Sequence, residues 1–385
     1  MRSRTAVVVG AVMMVMGAGV AGADEKAPTP AERRMAEARQ ALEKKPSAEG
    51  WSELAMALAR RARESSDVRF YEQAEDAVQR ALALAPDHVE AQKARAWVLL
   101  GQHRFAEARD LAQVLNRRVP DDVMIYGLLT DAHVELGQYA EAEAACQWML
   151  NLRPGNVPAL TRAAYLRELF GEVEGALELM KMAFEQTPPA EREDLAWIST
   201  QVGHLELLAG RTAAAERALD GALELFPGYH YALAGLARVR TVQGRHAEAA
   251  RLLQQRYDAA PHPENLFDLA EALQRAGRAR EAQRAFASFE REALAESAGP
   301  DNANRELILY YVDHARRPAA ALRLAQREAS VRRDVYTLDA LAWAQRASGR
   351  TTEARRTLQQ ALEVGVKDPR LLRHARALGA PARRG

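Results

Sequence analysis

Four prolines, Pro86, Pro120, Pro154 and Pro188, recur at one constant step, and Pro227 and Pro261 repeat it. A second series keeps that step almost throughout: Ala74, Ala108, Ala142, Ala176, Ala215, Ala249, Ala282, Ala321 and Ala354, with longer intervals only from Ala176 to Ala215 and from Ala282 to Ala321. A third, Gly137, Gly171, Gly210, Gly244, Gly277 and Gly349, falls five positions before six of those alanines. A period of about 34 residues restricts a chain to stacked units, each packed only on its neighbours. It removes the need to divide 385 residues into separate compact domains.

The residue types explain the period. Two antiparallel helices approach closely only where side chains are small, hence the alanines. Each glycine marks the end of a first helix, and each proline stops a second, because proline lacks the N–H and clashes with the preceding turn. Leu111, Met180, Leu219, Leu253 and Phe286 follow at helical spacing and are expected to fill the gap towards neighbouring helices. A chain that is 48% hydrophobic and only 6% aromatic suits Ala- and Leu-rich helices better than a sheet-built core.

A helix–turn–helix unit of this period resembles the tetratricopeptide repeat. The clearest unit runs from Val123 to Asn156, where Tyr126, Leu129, Gly137, Tyr139, Ala142 and Pro154 stand at or near that family's marked positions. The resemblance covers about residues 49–368 and implies an all-α, right-handed superhelical solenoid of antiparallel helix pairs. About nine repeats are expected, beginning near residues 49, 89, 123, 157, 196, 230, 263, 302 and 335. The first carries about seven extra residues between Leu58 and Tyr71, read as a longer turn, and the two longer intervals place loops or helix extensions near 191–195 and 297–301. Because the end units of a solenoid need covering, Ala31–Lys45 (within a lead of 24–48) and Arg370–Leu378 (within a tail of 369–385) are expected as capping helices, with Asp24–Pro30 disordered.

Residues 1–23 read as an export signal: Arg2 and Arg4, an apolar run from Thr5 to Val20, then Ala21-Gly22-Ala23 with a cut after Ala23. A retained anchor is the competing reading, although the run falls short of the ~20 apolar residues that span a bilayer. Arginine far outnumbers lysine, which points to a GC-rich bacterial genome, so the expected address is the periplasm or the exterior, with no stable membrane span after cleavage. The glycine pattern Gly17-Ala18-Gly19-Val20-Ala21-Gly22 imitates a dinucleotide-binding turn, but it lies in the leader and not between a strand and a helix. The single cysteine, Cys146, permits no intrachain disulfide and is expected as a buried structural thiol.

Net charge is +1, so nothing global draws the chain to nucleic acid, and export disfavours that partner. From residue 301 onward 17 Lys and Arg face 9 Asp and Glu. Arg316, Arg317, Arg332, Arg333, Arg355, Arg356, Arg383 and Arg384 are read as solvated helix faces and a loose tail, with steering towards envelope anions as the alternative.

In the resembled family the concave wall is lined by the first helix of each unit. Carried over by register, the lining positions collect Trp97, Tyr165, Trp197, His204, Tyr231, Phe267, Tyr310, Tyr336 and Trp343, interleaved with polar residues such as Asp131, Glu168 and Glu271. Aromatics there either recognise a ligand or pack between first helices and stiffen the array. No His-Glu-x-x-His helix, phosphate loop, Gly-x-Ser-x-Gly elbow or metal-spaced cysteine pattern occurs, so no catalytic residue, metal or cofactor is expected. His230, between two tyrosines, is read as surface or groove lining, and Asp121-Asp122 as a helix start. The expected function is a non-enzymatic scaffold of the bacterial envelope that binds a peptide or protein segment in its groove. The alternative is a glycan- or small-molecule-binding protein, or an enzyme, with a site enclosed by the superhelix.

Overall fold

The computed structural model describes residues 28–299 and 302–379. The leader and its cut after Ala23 lie outside the described residues, as do Asp301, Arg383 and Arg384. Among the described residues there are twenty helices and no strand.

A capping helix, α1 (Pro30–Lys44), precedes nine antiparallel pairs. The first four pairs are α2 (Ala48–Ser65) with α3 (Arg69–Leu84), α4 (Val89–Gly101) with α5 (Phe105–Arg118), α6 (Val123–Glu135) with α7 (Tyr139–Leu152), and α8 (Val157–Leu169) with α9 (Val173–Gln186). Next come α10 (Arg192–Leu208) with α11 (Thr212–Leu225), α12 (His230–Val242) with α13 (His246–Ala259), and α14 (Pro263–Arg275) with α15 (Ala279–Glu296). The array ends with α16 (Asn304–Asp313) and α17 (Pro318–Val331), α18 (Val335–Ala347) and α19 (Thr351–Val364), and the single α20 (Pro369–Leu378).

Local chemistry sets the boundaries. Asp122, Asn156 and Asp368 accept the N–H three positions ahead and so begin α6, α8 and α20, while Thr29 and Glu32 cap α1 reciprocally. All nine periodic alanines are buried, none more than 3% exposed. Between the helices of a pair, Leu219 shows why small residues are needed there. A Cβ on Gly203 of α10 or on Gly235 of α12 would lie 2.6 or 2.4 Å from its side chain, so the leucine of α11 fills the space that two glycines leave.

Two readings are corrected. The extra residues of the first repeat do not form a longer turn: α2 stays helical to Ser65 and turns through Ser66, because Arg60 and Arg63 on that extension meet carboxylates far along the chain. His230 is neither surface nor groove lining but buried, its Nε2 within 3.3 Å of the Arg63 carbonyl.

Both corrections arise from one property: the array returns upon itself. The edge formed by the helix–helix turns of the first four repeats meets the edge that leads into the first helices of later ones. Arg60 and Arg63 contact Glu191, Glu193 and Asp194. The Arg333 N–H donates to the Glu135 carbonyl (2.8 Å) and the Val335 N–H to the Tyr139 hydroxyl (3.0 Å). Residues of α6–α8 share one hydrophobic core with residues of α18–α20, including Val134, Leu166, Leu169, Val335 and Leu371.

Candidate functional site

Closure converts part of the inner wall into a half-open chamber. A cavity of ≈ 310 Å³ is lined by Tyr71, Trp97, Phe105 and Tyr165 together with His103, Asp131, Glu135, Arg162 and Arg332. Residues from α3 to α8 build its floor, and Arg332 reaches it from the distant α17–α18 connection, near the other end of the array. Arg332 is therefore not a solvated basic residue: it pairs with Glu135 (2.8 Å) and Asp334 (2.9 Å), and its guanidinium lies 5.4 Å from the Phe105 ring centre. Arg162 grips Asp131 with two nitrogens at 2.8 and 2.6 Å, a bidentate pair that holds both side chains in one orientation.

His103 occupies the position one repeat before Gly137, where six later repeats have glycine. It keeps the left-handed backbone that glycine adopts there (φ 56°), a conformation that is unfavourable for a residue with a Cβ. Its ring stacks on Phe105 (centroids 5.3 Å apart) and borders both this chamber and a smaller polar one of ≈ 220 Å³ that contains Arg305. Burial, aided by the charges of Arg332 and Arg305, holds the imidazole neutral, with its pKa lowered to about 3. The opposite happens to Glu135: burial pushes its carboxyl up to about 7 against the pull of Arg332. Asp334 is lowered, because Arg332 and the Thr337 hydroxyl outweigh its own burial.

Of the residues marked from the sequence, Trp97 and Tyr165 line the chamber, as does Asp131. The others are distributed along the inner side and do not converge with them. Tyr336 lies under the Arg305 guanidinium (5.8 Å). Trp197 packs between two hydrophobic clusters, and Phe267 is core, against Phe286 and Phe289. His204 contacts Glu168 at 2.9 Å, Tyr231 packs on His230, and Tyr310 stacks on Phe286. Trp343 stacks on His374 (3.9 Å) and donates its indole N–H to Asp313. None of the nine side chains is exposed. His103, Phe105, Glu135, Arg162 and Arg332 were missed; only His103 carried a signal, as one of the residues that, like Arg316, break the glycine series.

The chamber offers aromatic faces with ion pairs at their rim, which suits an apolar or aromatic group with a polar tip. Among the described residues no cluster of His, Cys, Asp and Glu could hold a metal ion. Cys146 is buried at the α7–α8 contact, where burial pushes its thiol up to about 11, far from a reactive thiolate at neutral pH. No described helix is long and apolar enough to cross a membrane.

Two tetratricopeptide-repeat family models match the sequence, one over residues 60–123 and the other over 206–264. The chain carries tetratricopeptide repeats in those two stretches. Repeats of this type make it, in general terms, a scaffold for protein interaction. Among solved structures this tetratricopeptide-repeat chain is similar to the APC/C hetero-tetramer Cut9–Hcn1, at 14% identity and a TM-score of 0.50, covering 90% of this chain and 58% of that one. It therefore spans little more than half the length of that relative. It is also similar to the human IFIT1 dimer solved with m7Gppp-AAAA, at 13% identity and a TM-score of 0.51, covering 86% of this chain and 84% of that one. At such identities the likeness concerns the fold alone. No curated protein matches the sequence.

Proposed function

We propose that this protein is an interaction scaffold of the bacterial cell envelope, which holds a partner segment against its inner wall by seating one apolar or aromatic side chain in the chamber beside Trp97 and Tyr165. The observation that carries the reading is the chamber itself: ≈ 310 Å³, aromatic on several sides, and bordered by the Arg162–Asp131 and Arg332–Glu135 pairs. That volume accommodates one or two side chains rather than a folded domain. The envelope address rests on residues 1–23 as a cleaved leader.

Replacing Trp97 in cells with a photo-crosslinking phenylalanine analogue is expected to trap one envelope protein, through a single residue of an exposed segment. Trp97→Ala with Tyr165→Ala, at unchanged helicity, is expected to weaken capture of that partner more than tenfold. Undiminished capture would refute the chamber as the anchor. The second, polar cavity supports a different occupant, because Arg305, held by Glu306 through its Nε at 3.0 Å, borders it and brings a cation to a small enclosed space. Co-purification of a small molecule, lost with Arg305→Ala, would favour the enclosed-ligand reading. Amino-terminal sequencing of the exported protein should begin at Asp24, and an intact Met1 would overturn the address.

A further inference from the structure

The smaller, polar chamber holds a set of charges that the repeat does not require. Its ≈ 220 Å³, the space of about seven waters at ~30 Å³ each, is bounded by Glu264 at the start of α14, Arg305 and Glu306 on α16, Glu328 on α17 and Arg332 after it. His103 closes it from the turn between α4 and α5. Of the charged side chains Glu264 and Arg305 are the most open, at 42 and 40%, while Glu306, Glu328 and Arg332 lie deeper, at 9, 13 and 18%. The mouth thus carries one acid and one base, and the floor two acids and one base.

Only some of these charges are engaged within the protein. Arg332 serves Glu135, Asp334 and the Phe105 ring. Arg305 gives its Nε to Glu306 (3.0 Å), and no described residue accepts from its two Nη atoms. Glu264 has the Arg256 Nη2 at 3.5 Å, a guanidinium already committed to Asp268 at 2.5 Å. Glu328 accepts the Asn304 side-chain N–H (2.8 Å), yet the one cation near it among the described residues is Arg327, at 3.9 Å. A carboxylate so enclosed is costly to keep charged without a closer partner. The chamber therefore calls for an acceptor at Arg305 and a cation at its floor.

We propose that this chamber binds a basic α-amino acid of the lysine type, an inference that rests on the enclosed-ligand reading of the polar cavity and not on the chamber at Trp97. The α-carboxylate takes the Nη edge of Arg305, a planar pair of donors that matches it, and the α-ammonium lies against Glu264. The aliphatic stem follows Ile308 and Ala340, and the terminal ammonium reaches Glu328, whose second oxygen accepts no bond from a described residue. A simple anion fits poorly, because three carboxylates face two guanidiniums, one of them already engaged. A plain diamine would leave the Nη edge of Arg305 without an acceptor. Burial holds His103 neutral, so it adds no positive charge beside the ammonium groups.

Isothermal titration of the exhaustively dialysed protein tests this, with L-lysine as the probe. Saturable binding at one site per chain is expected. Cadaverine, which lacks the carboxylate, and L-norleucine, which lacks the terminal ammonium, should each bind at least about 100-fold more weakly. Arg305→Gln should abolish the preference for lysine over cadaverine, and Glu328→Gln, which can keep the bond from Asn304, the preference over norleucine. The three ligands on the unaltered chain decide the matter even if a variant fails to fold. No lysine binding at millimolar concentration, equal affinity for lysine and cadaverine, or preferences that survive both substitutions would overturn the proposal. A co-purified occupant of the cavity that is uncharged or purely anionic would overturn it too, while leaving the enclosed-ligand reading intact.

Discussion

Gly171 and Gly244 occupy the same place in their repeats, and their backbones are nearly identical, with φ of 80° and 72°. In sequence nothing separates them. In space, a Cβ on Gly244 would meet no atom within 4 Å, whereas a Cβ on Gly171 would lie 2.5 Å from the Gly365 carbonyl oxygen. Gly137 is similar, with the Arg333 carbonyl at 2.7 Å. The turn edge of the first four repeats is therefore an internal seam, and in the later repeats the same edge faces solvent. A repeat protein is usually treated as a sum of nearest-neighbour terms, but here one part of the array also contacts units several repeats away.

The largest expected effect lies where the seam holds a buried charge. Glu193 is fully enclosed, bonded to Arg63 and to the Tyr229 hydroxyl (2.7 Å). Glu193→Ala leaves the Tyr229 hydroxyl unpaired and Arg63 with Asp194 alone, and should cost about 3 kcal/mol in urea unfolding; a cost under about 1 would show that the seam contributes nothing there. Next come the glycines. Gly244→Ala meets only the left-handed backbone, at about 1 kcal/mol, while Gly171→Ala must also displace a carbonyl and should approach about 3 kcal/mol. Faster amide exchange at Arg333 and Val335 in the Gly171 variant would locate that loss at the seam, and equal costs for the two variants would erase the distinction between the edges.

Acidity sharpens the comparison further. His103 and His230 are held neutral, their pKa values lowered to about 3 and about 4, chiefly by burial. An opened seam would protonate them below about 6.5, so closure weakens as pH falls from there. Glu135, raised to about 7, acts in the reverse sense: between about 7 and 4.5 the closed form holds a proton that the open form does not. Two groups oppose one, and the net expectation is loosening by about 1 kcal/mol per pH unit between 6.5 and 4.5, read as exchange at Arg333. His103→Gln with His230→Gln should reverse the sign, and an unchanged profile would remove both histidines from the seam's energetics. The smallest effect belongs to the free edge, where Arg278 pairs with Glu281 one turn ahead, with both side chains open to solvent on one side. Arg278→Ala should leave Tm unchanged.

The helical architecture was legible because its causes are local and recur. Alanine where helices touch, glycine where the first helix ends, and a carboxylate or amide such as Asp122 or Asn156 before the next helix each act over a short stretch of chain, and nine copies average out the exceptions. The site was legible only in part. Trp97 and Tyr165 followed from register, but Arg332 was taken for a solvated arginine, and the extension of α2 for a turn, since neither bears any mark of the carboxylates it meets. Sequence alone thus determined the unit and its stacking, through short-range packing preferences. Whether the stacked ribbon stays open or closes on itself depends on small rotations summed over many repeats, and only the tertiary structure decided that Glu135 would lie beside Arg332 and Gly171 beside Gly365.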